Sequence, residues 1–107
     1  MSWTSEYASR VSTAENAMRV VESGQRLFLT GNCSVPQRIL EALVARAPAL
    51  QDVEICEVLM FGKEPHLDPS MAGHLRVNSL FISDNARPAV QEGRADFTPA
   101  FLSEIPL

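Results

Sequence analysis

Two stretches of this 107-residue chain carry side chains able to do chemistry. In Thr30-Gly-Asn-Cys-Ser-Val-Pro36, Gly31 follows a short apolar run and precedes a helix start. A glycine there lets backbone amides turn toward an anion, and the helix N-terminus adds a positive dipole. A carboxylate, thioester oxygen or phosphate would suit such a turn. Gly31 would allow close approach, and Asn32 and Ser34 would add donors, with Cys33 and Pro36 in the same loop. The spacing is neither Gly-x-Gly-x-x-Gly nor a P-loop, so nucleotide chemistry is not indicated, and an ordinary strand-to-helix turn remains the alternative. Cys33 lies where a dipole could favour thiolate, but with no histidine placed to serve it the simpler reading is a small loop residue.

The second stretch runs from Glu57 to Arg94. Glu57 shares strand parity with Val53, Ile55 and Leu59, an apolar row on which burial would raise a carboxyl pKa and suit acid–base work. The plainer expectation is a carboxylate that escapes to water or pairs with an arginine. His66 and His74, near Glu64 and Asp68, match no standard metal spacing, so no metal is expected. Arg76, Arg87 and Arg94 could clamp an anion, although pairing with Asp84, Glu92 or Asp96 is the simpler account. Cys56 is expected in the core. Trp3 and Tyr7 are expected to pack the N-terminal segment onto the domain, unless they touch a partner.

Ser12-Thr-Ala-Glu15 reads as a capping box, and Ala14, Ala17, Met18 and Val21 at helical spacing predict a helix from about Thr13 to Ser23, stopped by Gly24. Arg26–Leu29 predicts a strand, and Pro36 opens a helix carrying Ile39, Leu40, Leu43 and Val44 on one side and ending at Ala47-Pro48. Val53–Met60 is apolar on both parities, the pattern of a central strand covered on both faces. A long connection, Gly62 to Arg76, leads to a third strand at Ser79–Ile82 and a short helix from Ala86 to Glu92. The alternation predicts an α/β fold: a mostly parallel open sheet flanked by helices.

With 46% apolar and 21% charged residues the composition is that of a folded domain. A net charge of −4 with no basic cluster argues against nucleic acid. No apolar stretch is long enough to span a membrane, and the start lacks signal-peptide regions, so a cytoplasmic location is expected. The two cysteines support neither a disulfide framework nor a zinc site. The ending, Phe101-Leu-Ser-Glu-Ile-Pro-Leu107, is apolar and proline-punctuated, so residues 1–107 are expected to be the N-terminal portion of a larger domain.

Taken together, the capped helix Ser12 to Gly24, the loop Gly31 to Gln37, Leu40 to Arg46, Gly62-Lys-Glu-Pro-His66, His74-Leu-Arg76 and the closing run through Pro106 resemble the N-terminal portion of the acetyl-CoA hydrolase/transferase family. These are class I CoA-transferases of the 4-hydroxybutyrate CoA-transferase type. The resemblance implies transfer of CoA between an acyl group and a carboxylate acid, or acyl-CoA hydrolysis, through a glutamate that forms covalent intermediates. That glutamate lies in the family's C-terminal half, so no catalytic residue is carried over and the chain alone should be inactive. The resemblance implies a coenzyme A thioester as substrate, no tightly bound cofactor, the remainder of the enzyme or a partner chain as companion, and a homo-oligomer as a further option. It makes Gly31 to Pro36 a pocket wall. Ser83-Asp84 stands where the family more often has a glycine, and Phe97 where tyrosine is frequent. Two other readings stay open: a stand-alone module binding acyl-CoA or another anion without catalysis, and an interaction domain.

Overall fold

The computed structural model describes residues 2–106; Met1 and the expected apolar terminus at Leu107 lie outside them. Helix α1 (Trp3–Arg10) begins on Ser2, whose hydroxyl accepts from the Ser5 amide, and buries no residue. Trp3 and Tyr7 are 78% and 66% exposed, which overturns the expectation that they pack onto the domain. Helix α2 (Ala14–Ala17) is capped by Thr13, not Ser12, and gives way to a 3-10 turn at Met18–Val20. The predicted helix stops early, and just beyond it the Arg46 guanidinium donates to the carbonyls of Met18 and Val21.

Strand β1 (Arg26–Leu29), helix α3 (Gln37–Arg46) and strand β2 (Val53–Val58) follow the sequence reading closely. Pro36 occupies the α3 N-cap, and a 3-10 turn at Ala47–Ala49 ends it. The connection to strand β3 (Leu75–Phe81) contains 3-10 turns at Pro65–Leu67 and Pro69–Met71. Helix α4 (Arg87–Gln91) and strand β4 (Asp96–Phe97) complete the order, with a 3-10 turn at Leu102–Glu104. β3 starts four residues before the predicted Ser79, because its early residues alternate between buried Leu75 and Val77 and exposed Arg76.

All four strands are parallel and lie in the order β1-β2-β3-β4. Strands added in one direction with crossovers of one hand put their connections on one face. Leu40 and Leu43 of α3 and Ala89 of α4 accordingly join Val53, Ile55, Leu75 and Val77 in a single buried cluster. The opposite face is open and mixed, carrying Phe28 and Cys56 beside polar side chains. Arg26 pairs with Glu54 at 3.2 Å, Glu54 accepts from Asn78, and Asn78 accepts from the Thr98 hydroxyl at 2.8 Å. β2 is therefore fully buried on one parity and half-buried on the other, not covered on both faces. Cys56 sits on the half-buried parity, which corrects its expected place in the core.

Candidate functional site

The carboxyl ends of the strands are where open α/β sheets bind ligands. Three loops meet there, following β1, β2 and β3. Gly31 is fixed by contact: a Cβ at this position would lie 1.8 Å from the Val58 carbonyl oxygen. The Asn32 amide donates to the Leu59 carbonyl at 2.9 Å, and both residues adopt positive φ, 53° and 41°. Left-handed backbone at a leucine costs energy, and such strain concentrates at functional sites. The Ser34 amide turns back to the Gly31 carbonyl, and the Thr30 hydroxyl donates to the Ser34 carbonyl at 2.6 Å. Two amides expected to face an anion are thus spent holding the loop. The side chains of Asn32, Cys33 and Ser34 are exposed, while Gly31 and Pro36 are partly covered. Beside them a cleft of about 270 Å³ opens between Leu59–Gly62 and Ile82–Asn85. A further cleft of about 310 Å³ lies toward the amino ends of β2 and β3, against Met71, His74 and Arg94.

Below the strand ends the structure gathers groups whose spacing gave no warning. Glu57 points into the apolar face and is 1% exposed; its Oε2 lies 2.7 Å from Nε2 of His66, itself 2% exposed. Neither escape to water nor pairing with an arginine, the two expectations for Glu57, is observed. His66 arrives there because the turn at Pro65–Leu67 packs against both α3 and β3. Glu64, two residues before, lies close to both, and its Oε2 accepts from the Ser83 hydroxyl at 3.2 Å. Burial first, and the neighbouring Glu57 carboxylate second, push the Glu64 carboxyl up to about 7. Hydrophobic parity could place Glu57 toward the core, but no local pattern announces its partners, which come from an irregular loop.

His74 does not join His66: its Nδ1 is 2.7 Å from the Leu50 carbonyl. The arginines pair as the plainer account expects, Arg76 bidentately with Asp96 at 2.7 Å and Arg94 with Glu92 at 2.7 Å. Arg87 stands 3.9 Å from Asp84. Arg76 holds the Asp96 carboxyl below its ordinary value through those hydrogen bonds. Cys33 and Cys56 are free thiols; burial and then the Glu54 carboxylate raise the Cys56 thiol above its usual range.

A parallel open sheet with helices on one face and strained loops at its carboxyl edge defines an α/β domain. More narrowly, the chain belongs to the acetyl-CoA hydrolase/transferase N-terminal domain family, whose model matches residues 1–107. It is 33% identical over 106 residues to a 4-hydroxybutyrate coenzyme A transferase of Clostridium kluyveri, covering 99% of this chain and 25% of that protein. It is 36% identical over 98 residues to a succinyl-CoA:acetate/propanoyl-CoA:succinate CoA transferase of Fasciola hepatica, covering 90% of this chain and 20% of that one. The chain spans a fifth to a quarter of the length of these curated relatives. Among solved structures, RipA from Yersinia pestis superposes with a TM-score of 0.84 at 19% identity, over 99% of this chain and 27% of RipA, a likeness of fold. Among the described residues no helix is long and apolar enough to cross a membrane.

Proposed function

We propose that this chain is the N-terminal part of a CoA-transferase or acyl-CoA hydrolase, supplying sheet scaffold and one wall of the acyl pocket. The family match over the whole chain carries the reading, and relatives named as CoA transferases support it. In this reading an acyl-CoA and a carboxylate acid are the substrates, and coenzyme A enters as a thioester, not as a tightly held cofactor. Gly31, Asn32, Cys33, Ser34 and Pro36 form the wall, with exposed Asn32 and Ser34 offering side-chain donors to the acyl or carboxylate oxygens. Loop rigidity comes from the Asn32–Leu59 backbone bond, which preorganises the edge that substrate would meet. Residues 1–107 act with the remainder of the enzyme or a partner chain, in a cytoplasmic assembly that can include further copies.

The covalent step belongs to a glutamate outside these residues. Glu57 is sealed against His66 and Glu64 is tied to Ser83, so neither offers a carboxylate to a thioester in the open cleft. The test is exchange of CoA between acetyl-CoA and a free carboxylate. Purified chain should show none, and calorimetry with CoA should show weak binding at most. Turnover at enzymatic rates would contradict the missing-nucleophile reading and make Glu57 the first suspect. Tight CoA binding without turnover would favour the stand-alone binding module.

A further inference from the structure

We propose that Glu57, Glu64 and His66 form a binding site for one divalent cation of the zinc class. Ligand atoms from the three side chains lie within 4.8 Å of one another. Two carboxylates and an imidazole are a donor set that suits Zn²⁺ and, less tightly, Mn²⁺. The site is built from separate elements: β2 contributes Glu57, and the following connection contributes Glu64 and His66.

A second observation points the same way. Among the described residues, Glu64 Oε1 and His66 Nδ1 are the side-chain atoms found buried without a hydrogen-bond partner; Nδ1 lies across the ring from the Nε2 that meets Glu57, so Glu64 Oε1 is the orphan that an ion beside Glu57 would satisfy. Buried polar atoms are almost always paired, and an orphan calls for a water or an ion. A buried and a half-buried carboxylate this close also repel when both are ionised, and a dication relieves that repulsion where a lone imidazole cannot do so for both. Ser83 holds the other Glu64 oxygen and so aims Oε1, the part an outer-shell group plays in metal sites. The Glu57–His66 contact of 2.7 Å is a hydrogen bond, so seating an ion of about 2.0–2.2 Å bond length requires those two atoms to part by several tenths of an ångström. His66 sits on the short 3-10 turn Pro65–Leu67, so it is this turn that would shift as the ion seats.

The test is titration of the chelator-treated 107-residue chain with zinc chloride, followed by calorimetry and by the thermal unfolding midpoint. One ion per chain is expected, with the midpoint raised by roughly 10 °C when free zinc is about a hundred times the dissociation constant. Glu64→Gln, a half-buried site where an amide can keep the Ser83 bond, should fold and lose both effects. Glu57→Gln should do the same, and if that variant fails to fold, Glu64→Gln alone decides. Cys33→Ser, Cys56→Ser and His74→Gln should bind zinc as the parent does. No binding at about 100 µM free zinc would overturn the proposal. So would zinc binding that survives Glu64→Gln or disappears with the cysteine or His74 variants.

Discussion

At the scale of single residues, two positions govern the strand ends. Gly31 is determined by one steric fact, the Val58 carbonyl 1.8 Å from where a Cβ would stand. Gly31→Ala must push the β1 and β2 ends apart, breaking the Asn32–Leu59 bond. Urea unfolding should show a loss of about 3 kcal/mol or more, and an effect within about 0.5 kcal/mol would contradict the contact. Glu64 governs pH response. Its folded-state pKa of about 7 lies above the ordinary 4.5, so the folded chain holds that proton more tightly than the unfolded one. Stability from this group is present below pH 4.5 and is lost as pH rises through 7, opposite in sign to an ion-paired carboxylate. With divalent cations chelated, the unfolding midpoint should fall between those pH values, and Glu64→Gln should flatten that part of the profile. An unchanged slope in the variant would refute it.

At the scale of elements, α1 stands apart. It is held by its Ser2 cap and the exposed Arg10–Glu6 pair at 2.9 Å, and it packs no side chain into the core. Exposed pairs of this kind contribute a few tenths of a kcal/mol. Removing residues 2–10 should therefore shift the unfolding free energy of the isolated chain by less than about 0.5 kcal/mol, checked by urea titration. A larger loss would mean that Trp3 or Tyr7 docks in solution. The contrast with α3 explains what could be read from sequence. Leu40 and Leu43 repeat at helical spacing because they are buried, so α3 announced itself; β2 was legible as an apolar run, but that only one of its parities is fully buried, against α3, was not. The long α2 did not materialise; beyond it the Met18 carbonyl meets Arg46, 28 residues away, a contact that no local pattern encodes. β4 is two residues long, too short to show a period. At the site, the glycine turn was legible, but the Glu57–His66–Glu64 cluster was not, because a 3-10 turn brings in His66 without hydrophobic periodicity.

At the scale of the whole molecule, the architecture is lopsided. Parallel sheets ordinarily have both faces covered, yet here α3, α4 and the Pro65–Leu67 turn share one face and leave Phe28, Cys56 and Asn78 on the other. Phe28 is 56% exposed, and Phe97, Phe101 and Leu102 are exposed by 48%, 75% and 69%. The radius of gyration, 15.1 Å, exceeds the roughly 13 Å expected of a compact chain of this length. The uncovered parallel face is where the proposed remainder of the enzyme or a partner chain would pack, and the Clostridium kluyveri relative is about four times as long.

The most direct test of that account is to isolate the native protein from source cells with an antibody against this chain, and measure both its mass and its exchange of CoA between acetyl-CoA and free carboxylates. The account predicts exchange by a species several-fold heavier than 11.8 kDa, or by an 11.8 kDa chain bound to a partner. A free 11.8 kDa protein that binds CoA but transfers nothing would contradict it.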